Sequence, residues 1–253
     1  MKNPLAFLRG IWYNKAVKRK GGHLMSETNR RRIGIIVPAL ILFGGEILKR
    51  LLRILYAAAV SDVLYQSSPL AAVLNWASYA AEIAALAIAA ALIASAVSRG
   101  CTKTGAAFLG IFLAALLFDG LAAFLTDLWQ NNIAGVESYA ALNLLSSMIE
   151  PAAVAAGTFA AALLFTRTKK TPRTRAVLSV SLVSALYTAA RLVITGCDIV
   201  SFLRLYRYPT APEITSMITD ALTALLFGVL LWGLAYLAVL ILCRFRFDKE
   251  KTV

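Results

Sequence analysis

Histidine occurs once in the 253 residues, at His23 in the polar N-terminal segment. Histidine catalysis and histidine metal binding are therefore not available inside the apolar stretches. The three cysteines, Cys101, Cys197 and Cys243, are scattered and form no C-x-x-C pair, which excludes a disulfide framework and a cysteine zinc site. Neither a metal nor a cofactor is expected. The chain has no P-loop, no dinucleotide fingerprint and no His-Glu-x-x-His. Thr195-Gly196-Cys197-Asp198 lacks the glycine directly before aspartate that an intramembrane aspartyl protease needs, and Asp119 sits in a plain Phe-Asp-Gly context. No catalytic residue is assigned, and an enzyme is the minority reading.

Charge is scarce too. Only 15% of residues are charged, 60% are hydrophobic, and the mean hydropathy is +0.73. A soluble domain is roughly half apolar and a quarter charged. Long Ala/Leu/Ile/Val runs point to an all-α polytopic membrane protein, and no alternating runs suggest a barrel. Six spans fit a hydrocarbon core about 30 Å thick: Ile33–Val60, Leu70–Ser98, Gly105–Trp129, Tyr139–Thr166, Ala176–Phe202 and Ile214–Cys243. The chain divides into a basic tail (1–32), a membrane domain (33–243) and a second basic tail (244–253).

The net charge of +13 is distributed in a pattern. Residues 1–32 hold nine Lys/Arg, Arg99–Lys103 two, Arg167–Arg175 five and Arg244–Lys251 four. The alternate connections Ser61–Pro69, Gln130–Ser138 and Leu203–Glu213 hold zero, zero and two. The positive-inside rule then places both termini in the cytoplasm of a multi-pass cell-membrane protein, and accounts for the basicity without nucleic acid. Membrane lipids are the expected partners, with a partner membrane subunit or an ATPase as a further one. Tyr65, Trp129, Tyr139, Tyr206 and Tyr208 would form an aromatic belt on the opposite side. The Gly-Gly-His-Leu before Met25 fits a ribosome-binding sequence and spacer, so residues 1–24 are expected to be an over-extended start or a basic cytoplasmic tail.

A polar pattern recurs inside the apolar stretches: Asn75-x-x-Ser78-x-x-x-Glu82, Asn143-x-x-Ser146-x-x-x-Glu150 and Glu213-x-x-Ser216-x-x-x-Asp220, starting 68 and 70 residues apart. Steps of three and four keep each set on one helix face. Asp62, Asp127 and Asp198 follow a similar period, 65 and 71 residues apart. Small residues support the first two copies, with Ala85 and Ala89 matching Ala153 and Gly157, while the third has Thr223 and Phe227. The expected architecture is three tandem hairpin repeats, with Glu82, Glu150 and Asp220 converging at one depth. Pro151, next to Glu150, removes a backbone donor beside the carboxylate.

The first span carries Glu46, Lys49, Arg50 and Arg53 at i, i+3, i+4 and i+7, one stripe on an apolar helix. Charge in the bilayer is costly, so this stripe should find partners on other spans rather than lie flat in headgroups. The candidate substrate- or ion-binding residues are Glu82, Glu150, Asp220, Asn75, Asn143, Asp119, Asp198, Arg53 and Arg191. Two functions follow. One is a transporter or membrane-embedded binding subunit for a small polar or cationic solute. The other is a non-transporting subunit that docks or assembles a partner complex, with the polar residues serving as interhelical glue.

Overall fold

Runs of alanine and leucine with their breakers at the ends become helices in the computed structural model of the protein. The structure describes residues 27–60, 69–131, 137–205 and 210–242, and within them the side chains of 36–56, 69–125, 148–204 and 210–242. Six helices and no strand lie among the described residues: α1 (Glu27–Val60), α2 (Pro69–Ser98), α3 (Thr102–Asn131), α4 (Glu137–Thr166), α5 (Pro172–Leu205) and α6 (Ala211–Leu242). Pro69 and Pro172 open α2 and α5, and Pro212 is the second residue of α6, positions where a missing N–H is harmless. The belt aromatics Tyr65, Trp129, Tyr139, Tyr206 and Tyr208, and the acids Asp62 and Asp127, lie outside the residues whose side chains are described.

Helices α2 to α6 are long and apolar enough to cross a membrane, the build of a multi-pass helical membrane protein. Helix α1 is as long, but every eighteen-residue stretch of it holds at least three charged residues. The coarse reading of the sequence therefore stands: among the described residues the chain is all-helical, with five long apolar helices.

Helix α2 is the hub. It packs against α3, α4, α5 and α6, and 72% of its apolar stretch is buried, against 22–28% in the other four. Its composition explains this. Ala85, Ala87, Ala89, Ala90, Ala91, Ala94 and Ala96 are all buried, and small side chains let neighbouring backbones approach. Glycines do the same at two crossings. A Cβ on Gly105 would lie 2.4 Å from Val97 Cγ2, and one on Gly228 would lie 1.8 Å from Thr188 Oγ1. The α5–α6 contact has room for hydrogen alone at residue 228.

Chain direction is set by tight turns. Helix α2 ends in a Schellman motif: Cys101 N–H donates to Ala96 O (3.1 Å), Gly100 N–H to Val97 O (2.9 Å), and Gly100 takes φ +86°. The next helix begins at once, so α2 and α3 are antiparallel neighbours. Arg99, in this turn, donates from Nη2 to the last α6 carbonyl, Leu242 O (2.8 Å), so α2 and α6 finish at the same end.

Candidate functional site

The charged stripe of α1 is built into the bundle. Gly45 of α1 would bring an added Cβ to 3.3 Å from Ala85 Cβ of α2, so the two helices are close here. This puts Glu46 and Lys49, 4% and 5% exposed, among the other helices. Lys49 Nζ pairs with Glu46 one turn earlier and with Asp119 Oδ2 of α3 at 3.0 Å. One turn further on, Arg53 Nη2 donates to Glu82 Oε2 of α2 at 2.7 Å. Arg50 donates to the Ala122 carbonyl of α3 at 3.1 Å and is not in the cavity lining.

Helices α4 and α5 add a second cross-helix pair. Arg191 holds Glu150 with two bonds, Nε to Oε1 at 2.5 Å and Nη2 to Oε2 at 2.8 Å. The planar fork of arginine matches a carboxylate, and such charge-assisted bonds are about twice as strong as neutral ones. The same guanidinium lies 5.6 Å from the Tyr187 ring centre and 5.9 Å from that of Phe227, within cation–π range. Phe227 comes this near because its neighbour Gly228 lets α6 close on α5.

These groups surround one cavity of about 130 Å³ to which every helix contributes. Lys49 and Arg53 come from α1, Tyr79 and Glu82 from α2, Asp119 from α3, Glu150 and Pro151 from α4, Tyr187 and Arg191 from α5, and Phe227 from α6. Burial is graded. The side chains of Arg53, Glu82, Arg191 and Glu150 are 35–41% exposed, whereas those of Glu46, Lys49 and Asp119 are 5–11% exposed. Two half-buried ion pairs therefore stand at the mouth, and Lys49 and Asp119 line the buried end, where Glu46, outside the lining, pairs with Lys49. The lining is amphipathic, with Ile83, Leu86, Leu116 and Met148 completing the wall. Few convergent charges in an apolar, concave setting are what a small-ligand site offers.

Comparison with family models, with curated proteins and with solved structures found no match. Function must be read from the cavity itself.

Of the nine site residues expected from sequence, Arg53, Glu82, Asp119, Glu150 and Arg191 line the cavity. Glu82 stands thirteen residues beyond Pro69, and Glu150 thirteen beyond Glu137, each in a helix of 30 residues. Thirteen residues rise about 20 Å, to near mid-helix. Asp220 does not join them: it is exposed and outside the cavity. It lies only nine residues into α6, about 14 Å of rise. Phe227, on the same face two turns later, takes the place the third acid was expected to fill. The spacing within the motif gave the right face but not the depth, which depends on where the helix starts.

The first residue of the third copy has another task. Glu213 Oε2 accepts from Thr210 N–H (2.6 Å) and Thr210 Oγ1 (2.8 Å), the acidic half of a capping box at the start of α6. Asp198 is exposed and outside the cavity. Asn75 is half-buried and outside it, its carbonyl accepting from Ser78 Oγ at 2.8 Å. The Asn143 side chain lies outside the described residues. Of the small residues, Ala85 and Ala89 are buried, while Ala153 is exposed and Gly157 is in ordinary contact with Val183.

Tyr79, Tyr187 and Phe227 were not anticipated. A signal existed for the tyrosines, which sit three residues before Glu82 and four before Arg191, on the same helix faces. Among the described residues no group of three or more His, Cys, Asp or Glu is arranged to hold a metal ion.

Proposed function

We propose that the protein is a six-span cell-membrane protein that binds and carries a small cationic solute in this cavity. The observation that carries the reading is a mid-helix cavity lined by all six helices, in which three acids and three bases from five of them converge. Glu82, Asp119 and Glu150 stand against Lys49, Arg53 and Arg191, and Glu46, outside the lining, pairs with Lys49. Ionisable groups inside membrane helices are costly and face bundle interiors or water-filled cavities that serve function. The volume resembles that of a cavity that accepts benzene, so the solute has about six non-hydrogen atoms.

Placing α1 as a sixth span is supported by the burial of Glu46 and Lys49 against α3, where a helix lying flat would keep them in headgroups. The basic connections then fall on one side and the non-basic ones on the other, with both termini cytoplasmic. The repeat is supported by the equal positions of Glu82 and Glu150 in α2 and α4, and the third copy departs from it.

A second reading is a non-transporting subunit that docks a partner membrane subunit or an ATPase. Its support is that both mouth acids already have arginine partners. The test is uptake of radiolabelled n-butylammonium into liposomes holding the purified protein. Carriage predicts uptake above empty liposomes, reduced at least tenfold by Glu82→Gln with Glu150→Gln. Uptake equal to empty liposomes would favour the docking reading.

A further inference from the structure

Away from the cavity, basic residues gather at one end of the bundle. Residues Arg99–Cys101 join α2 to α3, and residues 167–171 join α4 to α5. A Cβ on Gly105, in the first turn of α3, would lie 3.6 Å from the ring of Phe159, two turns before the end of α4, so the two connections share that end. Arg99 and Arg175 are half-buried and brace it, donating to the Leu242 and Thr168 carbonyls. Lys103, Arg167, Lys169, Lys170 and Arg173 are exposed. The adjoining stretches offer them no acid: residues 83–118, 151–197 and 221–247 hold no Asp or Glu. At the opposite ends of α5 and α6 the signs are mixed, with Arg204 beside Asp198, Glu213 and Asp220 in the sequence.

We propose that this end is a docking surface for anionic phospholipids, whose phosphates neutralise Lys103, Arg167, Lys169, Lys170 and Arg173 while their chains cover the apolar faces beneath. The height of the patch favours lipid. Helices α2, α3 and α4 have 30 residues each, about 45 Å. A bilayer is about 40–45 Å thick with its headgroups. The helix ends therefore fall in the headgroup layer, and connections of three and five residues carry the chain little further. Apolar surface lies directly below the charges. Leu164, 64% exposed, is one turn beneath Arg167, and the exposed Leu113 and Leu117 continue the α3 face that begins at Lys103. The positive-inside rule accounts for the side on which these connections lie and needs no bound lipid. It leaves over the mutual repulsion of Arg167, Lys169, Lys170, Arg173 and Arg175, five cations within nine residues and no acid between them. A phosphate held at the same height offsets that repulsion, and a phospholipid supplies both the phosphate and the chains.

The test uses the full chain in a neutral detergent and does not depend on what the cavity binds. In native mass spectrometry the protein should retain phosphatidylglycerol under conditions that strip phosphatidylcholine of the same chain length. Phosphatidylglycerol should also raise the melting temperature, and inorganic phosphate at equal concentration should not. Lys169→Gln with Lys170→Gln and Arg173→Gln should weaken phosphatidylglycerol binding by about tenfold or more. Arg30→Gln with Arg31→Gln and Arg32→Gln removes the same charge near the start of α1 and should weaken it by less than about threefold. The comparison of the two lipids needs no variant, so a variant that fails to fold does not stall the test. Equal retention of the two lipids overturns the proposal and leaves this end to an acidic partner protein. Stabilisation by inorganic phosphate as large as that by phosphatidylglycerol overturns lipid as the source of the anion. Equal losses in the two triple variants overturn the placement at these connections.

Discussion

Replacing Lys49 by Met removes an ammonium and keeps most of the apolar stem. The native side chain pairs with both Glu46 and Asp119, 4% and 9% exposed, and the other cavity cation on α1, Arg53, is held by Glu82. Breaking a buried pair by deleting one partner costs about 3–5 kcal/mol, because the remaining charge is stranded. Here two carboxylates lose the same ammonium, so Lys49→Met should cost about 4 kcal/mol. At about 2–4 °C per kcal/mol for a chain of this size, the melting temperature in detergent should fall by about 8–16 °C. The cost lies in the uncompensated charge, so it should be reversible from the other side. Adding Asp119→Asn should recover part of the loss, and adding Glu46→Gln should bring the triple variant within about 1 kcal/mol of native, as uncharged replacements of buried ion pairs often are. These residues share one network, so the three effects must be strongly non-additive. A Lys49→Met protein melting within a degree or two of native, or a triple variant no better than the single one, would refute the view that these buried carboxylates depend on Lys49.

Other perturbations read other parts of the fold. Gly228→Ala would put a methyl group 1.8 Å from Thr188 Oγ1. It should destabilise by about 1–3 kcal/mol, with recovery by Thr188→Ala on a thermal melt. Arg191→Ala strips Glu150 of both charge-assisted bonds and removes two ring contacts, for about 2–3 kcal/mol. Arg173→Ala, at an exposed position, should stay within about 0.5 kcal/mol. Reporter fusions after Gly135 and after Lys170 should report opposite sides of the membrane, as the alternation of basic connections requires.

What the sequence disclosed follows from what periodicity measures. Helix existence was legible because apolar runs of twenty or more residues have few alternatives. The stripe Glu46, Lys49, Arg50, Arg53 was legible as one face, and the need for partners followed from the cost of unpaired charge. Which acids would answer it was not legible, since the pairs with Asp119 of α3 and Glu82 of α2 depend on how α1 meets the other helices, as at the Gly45–Ala85 approach to α2, rather than on spacing within α1. The three-copy motif shows the same boundary. Glu82 and Glu150 both reach the cavity, each thirteen residues into its helix. Asp220 misses because α6 starts only nine residues before it, and Glu213 is spent on capping. The aromatic members of the cavity were hidden among many apolar residues, and only their i−3 and i−4 relation to the charges marked them.

The central claim is that the cavity is open to water and takes a small cation. The most direct measurement places a cysteine at Met148, a half-buried lining residue, in a chain whose three native cysteines are replaced by serine or alanine. Membrane fragments open on both faces are then labelled with a small cationic thiol reagent. The account predicts modification at residue 148, slowed several-fold by n-butylammonium and unaffected by an equal concentration of a neutral alcohol. A cysteine there that stays unmodified while one at exposed Lys170 reacts would show the cavity sealed and contradict it.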